Sequence, residues 1–512
     1  MAFIKRALIS VTDKTGVVEL AAGLRDLGVE IISTGGTARA IEQGGVTVRD
    51  VSEVTGFPEM LDGRLKTIHP RVAGGVLAIR KNAEHMKSLA EHQIPNIDMV
   101  VVNLYAFEKV AAKKDVHMAE LIENIDIGGP TMIRAAAKNY QDVAVVVSPD
   151  DYPAILQEMH ESKGELSEPT LWRLAQKAFA LTAAYDRAIS TRLSRIGVDE
   201  DAVLPSVLDI RAPRALDLRY GENPHQSAAL YSNRRGGIAS AEQLQGKELS
   251  YNNLVDLDAA WQLIQEFDQP ASAIIKHTNP CGCSESVTLA QSYRCAFEAD
   301  PVSAYGGVLA FNRALDEETA REVAKTFIEA IAAPDYDPGA RSVLGGKKNL
   351  RLLKVDPTPA EEAVVKSISG GYLVQTPDSH RLDRAQSQVK TERAPTEDEW
   401  RALEFGWKVC KHVKSNAIVY ARAGQSISVG AGQMSRVDSV KVGAMKAVLP
   451  LTGTVLASDA FFPFADGIEE AAKHGITAVI QPGGSVRDDE VVAAANRLGL
   501  AMVFTGIRHF RH

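Results

Sequence analysis

The chain has 512 residues, more than one ordinary hydrophobic core accommodates, so two or three domains are expected. Its net charge of −8 argues against a nucleic-acid-binding protein, because such proteins need a basic face to neutralise phosphates. No apolar run is long enough to span a membrane, the first residues lack the features of a signal peptide, and four cysteines are too few for a disulfide scaffold. We therefore expect a cytoplasmic protein that binds neither membranes nor nucleic acid.

Short β-branched runs alternate with helical patterns in the first third of the chain, which predicts an α/β domain with a parallel sheet. The predicted strands are Ala7–Val11, Val29–Ser33, Val46–Val51, Met99–Leu104 and Val143–Ser148. The predicted helices are Gly16–Leu27, Thr37–Gln43 and Leu171–Leu193.

The acidic stretch 196–208, which contains Pro205 and has no sustained periodicity, is the predicted domain boundary. We predict a first domain over residues 1–197, a linker over 198–208 and a second domain over 209–512. The second domain is also mixed α/β. Its predicted strands are Ala273–Ile275, Gly307–Phe311, Ala417–Tyr420, Ser426–Gly430 and Ala478–Gln481, and its predicted helices are Leu254–Glu266, Glu317–Ile331, Asp398–Val409 and Ser439–Val448.

Three polar segments of the first domain favour a phosphate ester as ligand. Residues 10–14 and 33–37 follow strands and combine hydroxyls, glycines and a helix start, which suits an anion. Residues 63–70 add Arg64 and Lys66. Each turn alone is equally typical of simple helix capping. The chain has neither a Walker A motif nor G-x-G-x-x-G at these turns, which disfavours nucleoside triphosphates and dinucleotides.

Two further segments bring chemistry to the same domain. Tyr105 follows a predicted strand, Asp126 precedes a predicted helix, and Lys138 lies further along that helix. A phenol, a carboxylate and an amine are suited to proton transfer on one ligand. The alternative is that Asp126 only caps the helix and that Lys138 is solvated on its surface.

The motifs SVTDKTG, STGGTA, GRLKTIHP, NLY and DIGGPTMIRAAAKN, in this order, resemble the IMP cyclohydrolase domain of bifunctional purine-biosynthesis enzymes. The resemblance implies that Lys66, Tyr105, Asp126 and Lys138 manage the closure of FAICAR to IMP with loss of water, without showing which group gives and which takes a proton. The residues that it implies for ribotide binding are Ser10, Thr12, Lys14, Ser33, Thr34, Gly35, Gly36, Thr37, Arg64, Thr67, Asn103, Gly128 and Gly129.

A second polar cluster begins where the strand predicted at 273–275 runs into Lys276 and His277, just before Pro280. Polar residues at a strand end are the usual place for an active site. A lone histidine is more often a buried, hydrogen-bonded side chain. A zinc site is disfavoured because Cys281 and Cys283 are spaced C-x-C and no H-x-E accompanies His277.

The rest of the chain resembles the AICAR transformylase domain of the same enzymes. The motifs that carry this resemblance are RYGENPHQ, GKELSYNN, KHTNPCG, DPVSAYGG, IAAPDYD, KKNLR, ISGGYLVQ, KSNAIVYA, GAGQMSRVDS, SDAFFPF and QPGG. The resemblance implies an α/β fold in which an N-terminal methylglyoxal-synthase-like parallel domain precedes a larger C-terminal α/β domain of duplicated cytidine-deaminase-like units without zinc. The weak sequence likeness between residues 276–277 and 414–416 does not establish that the second domain is a duplication.

In this family, the implied base that removes a proton from the AICAR 5-amino group is His277. Lys276 is implied to orient it and to stabilise the tetrahedral intermediate, and Asn416 to hold the formyl oxygen or the folate. Phe461 is expected to face the pterin, and Glu329 stands where some members carry Asp. The further substrate-binding residues are Arg219, Tyr220, Asn252, Gly307, Arg436, Asp459 and Arg508.

The resemblance implies 10-formyltetrahydrofolate as co-substrate and no metal requirement, and it leaves a structural K+ open. The expected partners are the small molecules AICAR, FAICAR, IMP and folate, together with a second copy of the chain in a homodimer, because the family builds its transformylase site across two subunits. Two alternatives compete: an enzyme with one activity whose other domain only supports folding or dimerisation, and a first domain that only senses phosphate. Lys66, Tyr105, Asp126 and Lys138 argue against a sensor, which does not need them.

Overall fold

A computed structural model describes residues 2–61, 63–104, 107, 110, 117–194, 204–232, 236–357 and 363–512. The chain separates into two compact units, Met1–Ala202 and Val203–His512. Within the described residues, no helix is long and apolar enough to cross a membrane.

A five-stranded sheet of order β4-β3-β2-β5-β6 forms the centre of the first unit, and all its neighbouring strands are parallel. Every residue of β5 and β6 is buried, so both faces of the sheet are covered, as parallel sheets require. The strands of this unit are β1 Ala2–Phe3, β2 Arg6–Ser10, β3 Glu30–Ser33, β4 Arg49–Asp50, β5 Met99–Val102, β6 Ala144–Val146 and β7 Glu165–Leu166. β1 pairs with β7 in a separate antiparallel pair.

The helices described in the first unit are α1 Val17–Asp26, α2 Gly35–Gln43, α3 Val51–Thr55, α4 Pro70–Leu77, α5 Ala83–Glu91, α6 Met118–Glu123, α7 Gly128–Lys138, α8 Tyr152–Glu161 and α9 Glu168–Leu193. The predicted strand Val46–Val51 is wrong, because only two of its residues lie in β4 and Val51 begins α3. Asp50 accepts a hydrogen bond from the Ser52 N–H at 2.8 Å and so caps α3.

Twelve strands form one sheet in the second unit, in the order β10-β15-β14-β13-β11-β12-β20-β19-β21-β22-β23-β18. These strands are β10 Glu242–Gln245, β11 Ala271–Lys276, β12 Asn279–Glu285, β13 Gly307–Phe311, β14 Ile328–Ala333, β15 Arg351–Lys354, β18 Gln388–Val389, β19 Ile418–Arg422, β20 Gln425–Gly430, β21 Val455–Ser458, β22 Ala478–Gln481 and β23 Ala501–Phe504. Two separate hairpins are formed by β8 Arg214–Leu218 with β9 Ala228–Tyr231, and by β16 Val364–Ile368 with β17 Gly371–Gln375.

The helices described in the second unit are α10 Tyr251–Ile264, α11 Leu289–Ala299, α12 Pro301–Ala304, α13 Glu317–Ala324, α14 Pro338–Gly345, α15 Glu397–Cys410, α16 Arg436–Lys446, α17 Asp466–Ala472 and α18 Asp488–Arg497. The predicted helix Glu317–Ile331 is too long. It ends at Ala324, and Ile331 lies in β14, which pairs in parallel with β13 and β15. These sheet contacts outweigh the helical pattern of the sequence.

The strand order repeats on either side of the antiparallel β12–β20 contact. In each half, a hairpin (β11–β12 or β19–β20) is followed by one antiparallel and then two parallel strands, and a short edge strand pairs antiparallel with the last. One glycine in each hairpin lies against a helix backbone. A Cβ on Gly282 would lie 1.9 Å from the Ala296 carbonyl oxygen, and one on Gly430 would lie 1.9 Å from the Ser439 carbonyl oxygen.

We expect Gly282→Ala to lower the free energy of unfolding of the second unit by about 3 kcal/mol, because the methyl group forces α11 away from the sheet. Gly371→Ala is the control, since a Cβ there meets no atom within 4 Å. Urea unfolding followed by tryptophan fluorescence measures both. Equal stability of the two variants would contradict the close contact between strand and helix.

Candidate functional sites

A cavity of about 900 Å³ lies where β2, β3 and β5 of the first unit end. The carboxyl ends of parallel strands are where α/β sheets bind ligands. Most of the ligand-binding residues predicted for this unit line the cavity. They are Ser10, Thr12, Lys14, Thr34, Gly35, Gly36, Thr37, Arg64, Lys66, Thr67, Asn103, Asp126, Gly128 and Gly129.

Two ammonium groups approach the N-terminus of α2. Lys66 Nζ lies 3.0 Å from the position that a Cβ would take on Gly35, and Lys14 Nζ lies 3.9 Å from the equivalent position on Gly36. Gly35 also has a φ of +54°, which favours glycine. The positive end of the helix dipole and two cations together favour the binding of an anion at this place.

Three of the predicted ligands have partners within the protein. The buried Ser33 hydroxyl donates to the Ile9 carbonyl at 2.7 Å, and the Thr37 hydroxyl donates to the Val11 carbonyl at 2.9 Å. Asn103 Oδ1 accepts the N–H groups of Thr12 at 2.6 Å and of residue 13 at 3.0 Å. These side chains therefore hold the turns in place.

Carboxylates pair with two of the cations that line the cavity. Glu59 lies 2.7 Å from Lys66 Nζ, and Glu123 pairs with Arg64. Sequence reasoning missed both acids, because neither belongs to a motif and Glu123 is 59 residues away from its partner. A bound phosphate competes with these carboxylates for the cations.

Asp126 lies at the start of α7, where its Oδ1 accepts the Gly129 N–H at 2.9 Å. Its own N–H donates to the Tyr185 hydroxyl at 2.7 Å. Burial raises the pKa of Asp126 above the ordinary value of 3.8, although hydrogen bonds from the N–H groups of Gly129 and Gly128 oppose the rise. The side chain therefore has two features of a general acid–base group, a location in a cavity and a shifted pKa.

The two other residues predicted to transfer protons are not found at the cavity in the described part of the chain. Tyr105 lies outside the described residues. Lys138 is exposed at the last position of α7, about 15 Å along the helix axis from Gly128, and it is not among the residues that line the cavity. Their roles stay predictions.

In the second unit, Lys276 ends β11 and His277 occupies the turn before β12. The His277 side chain is exposed, and Lys276 Nζ donates to the carbonyl oxygens of Gly306 at 3.0 Å and Tyr305 at 3.3 Å. Since an ammonium group has three donors, one remains for a ligand. Gly307, also predicted as a substrate contact, is buried beside this strand as the first residue of β13.

Asn416 lies two residues before β19 and is held by a hydrogen-bond network that includes the buried Arg436. Its Oδ1 accepts from Arg436 at 2.8 Å, and its Nδ2 donates to the carbonyl oxygens of Gln433 at 2.9 Å and Met434 at 3.2 Å. Arg436 also pairs with Asp459, which is 1% exposed, and donates to the Ser458 hydroxyl at 2.8 Å. The two predicted substrate-binding residues Arg436 and Asp459 are thus bonded to each other, and Arg436 also bonds to Asn416.

Asn279 joins the two halves of this site. Its Oδ1 accepts the Lys414 N–H at 2.9 Å, and its Nδ2 donates to the His277 carbonyl at 3.3 Å. One side chain therefore links the turn of His277 to the segment that leads into Asn416. Sequence reasoning missed this role because the two bonded residues are 135 positions apart.

Other predicted contacts of the second unit lie in smaller groups. Arg219 donates to the Tyr220 hydroxyl at 2.7 Å and lies over its ring. Glu329 accepts from Asn253 at 2.9 Å. The three remaining predicted contacts, Asn252, Phe461 and Arg508, are exposed. Arg508 stacks on Phe510, and Asn252 donates to the Glu222 carbonyl.

Two family models match parts of the chain. The family model described as AICARFT/IMPCHase bienzyme matches residues 136–446, more than half of the chain, and the one described as MGS-like domain matches residues 16–131. The chain belongs to the AICARFT/IMPCHase bienzyme family. AICAR formyl transfer and IMP cyclisation, the two activities that give the family its description, are therefore the activities of this chain.

Two relatives match over their full length. The bifunctional purine biosynthesis protein PurH of Acidithiobacillus ferrooxidans is 53% identical over 520 residues, covering 100% of both chains. The protein with the same description from Parvibaculum lavamentivorans is 54% identical over 527 residues, covering 99% of this chain and 97% of the relative. A crystal structure of ForH is 34% identical and covers 37% of this chain and 98% of its own, with a TM-score of 0.34.

For this AICARFT/IMPCHase family member, we expect Arg436→Met to lower the free energy of unfolding by about 3 kcal/mol, because Asp459 is left buried without a countercharge. The double variant Arg436→Met/Asp459→Asn recovers part of that loss. Urea unfolding of the wild type, Arg436→Met and the double variant measures these free energies. If Arg436 serves only to bind phosphate, Arg436→Met leaves the stability unchanged.

Proposed function

We propose that the cavity of the first unit closes FAICAR to IMP and that the site around His277 and Asn416 transfers the formyl group to AICAR. With this division, the cyclohydrolase lies in residues 1–197 and the transformylase in 209–512. The observation that carries the first half is the phosphate site of Lys14, Lys66 and the α2 N-terminus in one cavity with Asp126. A domain that only senses phosphate needs the cations but does not need Asp126, whose carboxylate can accept a proton.

Ring closure joins the carboxamide nitrogen of FAICAR to its formyl carbon and expels the formyl oxygen as water, whose two hydrogens come from the carboxamide nitrogen and the formamido nitrogen. Because both groups belong to one molecule, holding them in contact removes much of the entropic barrier, on the order of several kcal/mol. Lys66 stabilises the oxyanion that forms on the formyl oxygen. Asp126 accepts the proton from the carboxamide nitrogen, and the raised pKa of Asp126 supports this role because it makes the carboxylate a stronger base.

Formyl transfer joins the 5-amino nitrogen of AICAR to the formyl carbon of 10-formyltetrahydrofolate and breaks the bond from that carbon to the folate nitrogen. His277 takes the proton from the amine, which is a poor nucleophile because its lone pair is delocalised into the imidazole ring. The third donor of Lys276 stabilises the tetrahedral oxyanion. Asn416 contributes to the formyl or folate contact from a position fixed by Arg436.

The two halves of the large sheet are proposed to be cytidine-deaminase-like units without zinc. The repeated strand order supports the duplication. The ligand spacing supports the lack of zinc, because Cys281 and Cys283 are spaced C-x-C and no H-x-E accompanies His277. No metal is assigned a role in either reaction, and a structural K+ stays open.

A cytoplasmic homodimer completes the proposal. The β16–β17 hairpin supports association, because it pairs with no other strand in the part of the chain that is described and exposes Val364, Ile368, Tyr372 and Leu373. An isolated two-stranded hairpin is marginally stable without a covering partner. The expected ligands are AICAR, FAICAR, IMP and folate, with neither a membrane nor nucleic acid as partner.

Separate variants test the two sites. We expect His277→Ala to lose formyl transfer by about 100-fold or more while it still cyclises supplied FAICAR at the wild-type rate. Lys66→Ala is expected to do the reverse, losing about 100-fold in cyclisation and retaining formyl transfer. Folate release and IMP formation are followed spectroscopically for each variant. If His277→Ala keeps formyl transfer, the proposed site is wrong. If Lys66→Ala keeps cyclisation, Lys66 is not the group that stabilises the oxyanion.

The pH dependence of cyclisation tests Asp126. An ionised carboxylate is needed to accept the proton, so the rate falls as the pH drops through the raised pKa, above the ordinary value of 3.8. We expect Asp126→Asn to remove most of the activity and this acidic limb with it. Formyl transfer by the same variant keeps its wild-type pH profile. An unchanged acidic limb in the cyclisation profile of Asp126→Asn would assign the limb to another group.

A further inference from the structure

The turn that carries His277 has a backbone conformation that side chains disfavour. His277 has a φ of +53° and Thr278 a φ of +62°, so two consecutive residues other than glycine lie in the left-handed region. A β-branched residue such as Thr278 is an outlier there. Such a conformation persists only where the surrounding structure holds it, and it is often found at functional sites.

A carboxylate on a neighbouring helix holds the turn by accepting a hydrogen bond from a backbone N–H of the turn. Asp256, on α10, accepts the Thr278 N–H at 2.7 Å. Burial raises the pKa of Asp256, while the hydrogen bond from Thr278 and the nearby His277 and Lys276 oppose the rise. The half-buried carboxylate is therefore directed at the turn and not at bulk water.

The carbonyl side of His277 is held as well. Its oxygen accepts from the Thr278 hydroxyl at 2.7 Å and from Asn279 Nδ2 at 3.3 Å. Thr278 belongs to the turn, and Asn279 is the first residue of β12, where its Oδ1 also accepts the Lys414 N–H. Asn279 thus holds the carbonyl side of the turn, and Asp256 holds the N–H side, which makes Asp256 the contact that fixes the turn to a helix of the same unit.

We propose that Asp256 is a positioning residue for formyl transfer, holding the His277–Thr278 turn so that the imidazole meets the amine of AICAR. The proposal rests on the role given to His277 above. Loss of the carboxylate lets the turn relax toward ordinary backbone angles and moves the imidazole. A displacement of about 1 Å at a reacting group can cost about 100-fold in rate.

The test compares Asp256→Ala with Asp256→Asn. Asparagine keeps an oxygen that can accept the Thr278 N–H but removes the charge, so we expect it to retain formyl transfer within about three-fold of wild type. Alanine removes the acceptor, and we expect kcat to fall about 10- to 100-fold with little change in KM for AICAR. Asp258→Ala is the matched control, because this acid lies on the same helix and bonds to Gln262, not to the turn.

Cyclisation of supplied FAICAR is measured on the same preparations and reports whether the first unit has folded, because that reaction belongs to the other unit. Thermal melting compares the second unit of each variant. A wild-type kcat in Asp256→Ala overturns the proposal. An equal loss of kcat in Asp256→Asn and Asp256→Ala also overturns it, because the effect would then come from the charge. A loss of kcat in Asp258→Ala of the same size overturns it as well. His277→Ala is assayed beside them: if it transfers formyl normally, the proposed function itself fails, whereas its inactivity beside an active Asp256→Ala rejects only the positioning role.

Discussion

At both sites, the turns at the ends of helices and strands have backbone N–H groups that no neighbouring strand reaches, and a carboxamide or carboxylate side chain accepts their hydrogen bonds. Asn103 accepts two N–H groups of the turn after β2, Asp126 accepts that of Gly129, Asp256 that of Thr278, and Asn279 that of Lys414. Buried backbone donors are costly to leave without partners. The shape of both sites follows from these bonds, because the reacting side chains lie on the turns that the bonds fix.

The two sites handle charge in different ways. The cavity of the first unit keeps its cations at the surface, where Glu59 and Glu123 neutralise Lys66 and Arg64 until an anion competes for them. In the second unit, Arg436 and Asp459 are buried together, so their desolvation is offset by their mutual attraction and by the added hydrogen bonds. The exposed pairs suit exchange with a ligand, whereas the buried pair suits the fixed positioning of Asn416.

The sequence predicted best those features that depend on residues close together in the chain. The strands Gly307–Phe311 and Ala478–Gln481 are confirmed to the residue, because each is a continuous apolar run buried on both faces. The prediction was wrong at Val46–Val51, where Asp50 caps a helix that begins at Val51. It was also wrong at Ile328–Ala333, where pairing with β13 and β15 forms a strand in place of the predicted end of a helix. Most residues of the phosphate turns could be named from motifs and do line the cavity. Glu59, Glu123, Asp256 and Asn279 could not, since their roles arise from contacts that no local pattern encodes.

The repeated strand order explains why the transformylase groups come from distant parts of the chain. His277 follows a strand of the first half of the sheet, and Asn416 precedes a strand of the second half, with the β12–β20 contact between the halves. Neither half contains both groups. The Asn279 side chain bonds to the Lys414 N–H in the other half and to the His277 carbonyl in its own half. These two bonds fix the position of His277 relative to the segment that leads into Asn416. On the proposed roles, two similar half-sheets thus form one asymmetric site, in which one half supplies proton transfer and the other a rigidly held amide.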